Sequence, residues 1–105
     1  MKISISGPGG KTIIDKPGSY VIGRFDDGYA GIFGEPPRVL ARDTAISRSH
    51  AELLVRDPNS PILSDKTSRN GTYVDGIRIT AKVMEPGIEY IIKMGDSEFT
   101  FKYER

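Results

Sequence analysis

The chain has 105 residues, with 15 basic and 14 acidic side chains, one histidine and no cysteine. That length suits one domain, so a single unit over residues 1–105 is expected. A net charge of +1 lacks the basic excess of a nucleic-acid binder, and the missing cysteines exclude disulfides and thiolate metal sites. No apolar run reaches the ~20 residues of a membrane-spanning helix, and the N-terminus carries no signal-peptide core. The expectation is an intracellular, cytoplasmic protein without a membrane partner. Twelve glycines and seven prolines, set among recurring apolar runs, predict frequent turns rather than disorder.

In chain order, Lys2 to Ser6 alternates polar and apolar residues as a half-buried strand does. Gly7-Pro8-Gly9-Gly10 turns the chain, and Lys11 to Ile14 resumes with β-branched residues. Pro17-Gly18 precedes a third strand, Ser19 to Ile22, which leads into Gly23-Arg24. Phe25 to Pro37, rich in glycine, proline and acids, reads as a long irregular loop. Arg38 to Ala41 forms a short strand, and His50 to Val55 another. In the latter, Ala51, Leu53 and Val55 share one face, while His50, Glu52 and Leu54 share the other.

Asp57 to Pro61 is a turn, Ile62-Leu63 a short strand, and Asp65 to Gly71 a loop. Asp75-Gly76 between Thr72–Val74 and Ile77–Ile79 is the strongest hairpin signal in the chain. Pro86-Gly87 precedes the strand Glu89 to Lys93, and the last strand sets Phe99, Phe101 and Tyr103 on one face. No stretch keeps a helical apolar period free of Gly and Pro. The predicted fold is all-β, a sandwich of two packed sheets with about ten short strands.

Ser47-Arg48-Ser49-His50 holds the only histidine and invites a catalytic reading. Catalysis needs a base aligned on the nucleophile and a third group orienting that base, and no G-x-S-x-G elbow occurs. One histidine and no cysteine leave no zinc-ligand spacing. Gly7 to Lys11 lacks the Walker spacing and a following helix, so it is a turn rather than a nucleotide loop. The residues predict no enzyme, no metal and no cofactor, and His50 reads as a brace tying a loop to the sheet.

Arg24, Ser47, Arg48, Ser68, Arg69 and Asn70 sit at loop positions. If those loops converge at one end of the sandwich, guanidinium, hydroxyl and amide donors would suit a doubly charged phosphate ester.

The ordered combination of Gly23-Arg24, Ser47-Arg48-Ser49-His50, Asp65-Lys66-Thr67-Ser68-Arg69-Asn70-Gly71-Thr72 and Met94-Gly95-Asp96 resembles the forkhead-associated (FHA) domain family. The resemblance runs from Tyr20 to Phe101 and implies an eleven-stranded sandwich that reads phosphothreonine in a partner protein. It implies that Arg24 and Ser47 bind the phosphate, with Arg48 beside them. Asn70 would hold the peptide main chain and Arg69 would line the same surface. Gly23, His50, Gly71 and Thr72 are implied as architectural support. The partner would be a phosphothreonine-containing kinase substrate, bound by a monomer acting as a signalling or scaffolding adaptor. The alternative is a phosphate-independent interaction or oligomerisation scaffold of the same fold. The interval from Arg24 to Ser47 is longer than the family often shows, and its Asp26, Asp27 and Glu35 are expected to favour basic residues flanking the phosphothreonine.

Overall fold

A computed structural model describes all residues from Met1 to Arg105. It contains twelve strands: β1 (Lys2–Gly7), β2 (Gly10–Ile14), β3 (Gly18–Asp26), β4 (Tyr29–Ile32), β5 (Arg38–Arg42), β6 (Ala51–Val55), β7 (Ile62–Asp65), β8 (Thr72–Val74), β9 (Ile77–Ile79), β10 (Ala81–Val83), β11 (Glu89–Met94) and β12 (Ser97–Glu104). They form two six-stranded sheets, ordered β2-β1-β12-β11-β8-β9 and β10-β7-β6-β3-β4-β5. Every neighbouring pair is antiparallel.

Residue alternation makes these strands two-sided. In β11, Tyr90, Ile92 and Met94 are buried while Glu89, Ile91 and Lys93 face water. In β12, Phe99, Phe101 and Tyr103 point inward, as their spacing predicts. The inner faces of both sheets meet in one core of 21 buried apolar residues, including Ile3, Leu40, Leu53 and Leu63. Each large aliphatic or aromatic side chain there contributes about 1.5–3 kcal/mol by leaving water, so the core rather than any single turn holds the sheets together.

The chain changes sheets several times, most tightly at Thr80, the single residue between β9 in one sheet and β10 in the other. β1 and β12 lie side by side in the first sheet, with Lys2 opposite Glu104 and Ser6 opposite Thr100.

Two strands go beyond the sequence reading. Phe25 to Pro37 is not a continuous irregular loop, because β3 extends to Asp26 and returns as β4 through an Asp27-Gly28 turn. Both turn residues have positive φ, at 38° and 87°, which is the backbone a tight Asp-Gly hairpin requires. Only Phe33 to Pro37 remains irregular before β5. The other addition is β10, three residues paired along β7. His50 also departs from expectation: β6 starts at Ala51, and His50 is fully buried rather than sharing a polar face with Glu52 and Leu54.

Candidate functional site

The polar residues singled out in the sequence gather at one end of the sandwich. They sit on the end of β3, the β5–β6 loop (43–50), and the β7–β8 loop (66–71). The first contact is made possible by a glycine. A Cβ on Gly23 would lie 1.8 Å from the carbonyl oxygen of Arg48, so only glycine lets the β5–β6 loop cross β3 this closely. The crossing is fastened by backbone bonds from Arg24 N to Ser47 O (3.0 Å) and from His50 N to Ile22 O (2.9 Å).

Arg24 is half-buried and its Nε donates to the carbonyl of Ile46 at 3.1 Å. A guanidinium has five N–H donors, so this bond fixes the side chain while four donors on the terminal nitrogens remain for a ligand. Ser47 Oγ accepts from the backbone amide of Arg69 at 3.0 Å, which leaves its own hydroxyl proton available to donate. Asn70 Nδ2 donates to Ala45 O at 2.9 Å, a second tie between the same loops. Arg48, Arg69 and Asn70 are exposed on this end.

His50 occupies the space beneath. Its Nδ1 accepts from the Ser47 amide at 3.0 Å, and its Nε2 lies 2.8 Å from Gly71 O. An amide can only donate and a carbonyl can only accept, so the ring is neutral with its proton on Nε2. Both nitrogens are thereby committed to backbone. Ser47 Oγ bonds to Arg69 rather than to His50, so serine and histidine do not form a nucleophile–base pair.

The β7–β8 loop folds around Asp65. Its carboxylate accepts from the Ser68 hydroxyl, the Ser68 amide (3.1 Å) and the Thr72 hydroxyl (2.8 Å). Burial alone would raise its pKa, but the bonds from Ser68 and Thr72 outweigh that and hold the carboxyl below its ordinary 3.8. Ser68 Oγ in turn accepts from Gly71 N at 3.0 Å, and Gly71 adopts φ 83°, the left-handed conformation that glycine tolerates. Gly23, His50, Gly71 and Thr72 therefore all sit within the framework beneath the exposed donors.

Sequence reasoning missed a second bracket. Asp43, only 7% exposed, accepts from Ala45 N (2.8 Å), Asp96 N (2.8 Å) and Ser97 Oγ (2.6 Å). It pins the start of the β5–β6 loop to the β11–β12 turn. At that turn Gly95 has φ 60°, and a Cβ there would lie 2.8 Å from Ile46 and 2.9 Å from the Asp43 carboxylate. The available signal was local: an aspartate closing a strand and bonding the amide two residues on is an Asx-turn.

Of the acids expected to line the peptide site, Asp27 forms the β3–β4 turn. Asp26 and Glu35 instead border a hollow of about 440 Å³ beside that hairpin, lined also by Phe25, Tyr29, Phe33 and Val39.

A family model for the FHA domain matches residues 20–96. Among solved structures, the FHA domain of the CT664 protein from Chlamydia trachomatis superposes with a TM-score of 0.75 at 18% identity, covering 100% of both chains. An FHA domain characterised for phosphothreonine-dependent interactions gives 0.74 at 24% identity, covering 100% of this chain and 99% of that one. Mycobacterium tuberculosis EmbR, solved with a low-affinity phosphopeptide, gives 0.72 at 24% identity, covering 98% of this chain and 24% of EmbR. Comparison with curated proteins returned no match. The family model spans most of the chain and its fold matches throughout, so the chain belongs to the FHA domain family, whose members are phosphopeptide-binding interaction modules.

Proposed function

We propose that this chain binds phosphothreonine in a partner protein and serves as a signalling or scaffolding adaptor without catalysis of its own. The observation that carries the reading is the state of Arg24 and Ser47. Each is fixed by one bond to a neighbouring loop and keeps unspent donors at the same end of the sandwich. Donors held in place before the ligand arrives lose little freedom on binding, which is what a charged phosphate ester requires of its receptor. Arg48 and Arg69 add positive charge, and Asn70, exposed beside them, is assigned to hold the peptide main chain. The phosphothreonine-dependent FHA relative and the phosphopeptide complex of EmbR support the same ligand class.

Charge-assisted hydrogen bonds contribute about 1.5–3 kcal/mol each. Three or four of them, set against the ordering of a flexible peptide, leave a micromolar affinity of roughly −8 kcal/mol. The test is calorimetric titration with a degenerate phosphothreonine peptide library, with phosphoserine and unphosphorylated controls. Wild type should bind the phosphothreonine peptides, and Arg24→Ala should abolish binding while keeping the native fold, with a melting temperature lowered by no more than a few degrees for the lost bond to Ile46. Equal affinity in that variant, or binding that survives removal of the phosphate, sinks the assignment.

A further inference from the structure

The hollow beside the β3–β4 hairpin is not used by the phosphate site, yet it adjoins it in the chain. The ladder between β3 and β4 slips between Arg24 and Asp26, leaving Phe25 as an unpaired bulge residue immediately after Arg24. Bulges re-aim side chains and occur preferentially beside functional sites. Here the ring of Phe25 meets Phe33 edge-on, with centroids 6.0 Å apart and planes at 83°. Tyr29 and Val39 complete an apolar lining. Phe33, Tyr29 and Val39 remain 41%, 40% and 40% exposed.

The charged residues of the lining are acidic, and the Arg42 guanidinium stands against its Tyr29 edge. Asp26 and Glu35 are its only ionisable acids or bases apart from the Tyr29 phenol, and both are exposed. Tyr29 already stacks under a cation, the Arg42 guanidinium, at 5.5 Å from its centroid. An apolar floor that is acidic on its Asp26 and Glu35 side fits a bulky apolar side chain flanked on that side by Lys or Arg, and disfavours an acidic or purely polar segment.

We propose that this hollow is a second anchor point for the phosphorylated partner, taking an aromatic or branched aliphatic residue that neighbours a Lys or Arg. The proposal rests on the phosphothreonine-reader assignment, because it places both anchors on one partner segment. Phe25 and Asp26 directly follow Arg24 at the end of β3, so both anchors belong to the same end of that strand, and extensions on either flank of the phosphothreonine sample the span between them.

The test compares a short phosphothreonine peptide with the same peptide extended by six residues containing Phe-Arg, on either flank, by calorimetry. On one flank the extension should tighten binding about tenfold to wild type, equal to about 1.4 kcal/mol. Phe33→Ala should erase that gain, and Asp26→Asn with Glu35→Gln should reduce it, while all variants bind the short peptide equally. No gain on either flank, or a gain that persists in Phe33→Ala, overturns the proposal. Failure of the short peptide to bind wild type condemns the reader assignment instead. The hollow is then judged by amide chemical shifts with the unphosphorylated extension: shifts centred on Phe25, Tyr29 and Phe33 and lost in Phe33→Ala support it, and their absence overturns it.

Discussion

The β5–β6 loop is held at its two ends by brackets of opposite chemistry. At its start, Asp43 uses a buried carboxylate as a pure acceptor for two amides and a hydroxyl, binding the loop to the β11–β12 turn. At its end, His50 uses a neutral ring as acceptor and donor at once, binding the loop to Gly71. The exposed donors lie between and beside these brackets. A loop that must present donors to a phosphate cannot fasten itself with them, so its rigidity comes from buried groups on either side. Charge-assisted bonds are stronger than neutral ones, which makes the Asp43 end the stiffer of the two.

The largest expected effect falls on the crossing of β3 by the loop, between the two brackets. Gly23→Ala forces the Arg48 carbonyl away from β3, which should cost about 3 kcal/mol or more by urea denaturation and eliminate phosphopeptide binding. Next, Asp43→Ala strands three donors and should cost about 2–4 kcal/mol. His50→Ala strands one donor and one acceptor and should cost about 1–3 kcal/mol. If His50→Ala proves the more damaging of the two, the ranking of the brackets is wrong.

The smallest effect is on pH dependence and lies outside both brackets. The Asp65 carboxyl is held below its unfolded value, so its stabilising contribution is complete above about 3.8 and disappears as pH falls through the lower folded value. Asp65→Asn should therefore lower stability at neutral pH and flatten the acid limb of the stability profile below pH 3.8. An unchanged acid limb would remove Asp65 as its source.

The legibility of these features in the sequence follows their locality. Phe99, Phe101 and Tyr103 declare their face by a period of two, and Asp75-Gly76 declares its hairpin by turn chemistry alone. His50 was readable as a brace because the spacing to Ser47 is short and no catalytic partner accompanies it. The Asp27-Gly28 hairpin carried the same turn signal as Asp75-Gly76. It was masked because β4, Tyr29-Ala30-Gly31-Ile32, is mostly buried and shows no alternation. β10 is short and pairs with β7 only after the chain has changed sheets at Thr80, which no local pattern encodes. Asp43 was invisible as a bracket because its main partners, Asp96 and Ser97, lie more than fifty residues away, brought near only by the fold.

The pairing of β1 with β12 has a mechanical consequence. Lys2 lies opposite Glu104, whereas β12 begins at Ser97, beside the Asp43 bracket and the presenting loops. The two ends of the fold thus share one pole, and the loops occupy the other, about seven residues or ~24 Å of strand away. Antiparallel hydrogen bonds run across the strands, so tension drawn through both ends opens the β1–β12 seam one pair at a time, like a zipper. The fold would yield first at the pole where load is applied, with the gripping loops the last region to feel it.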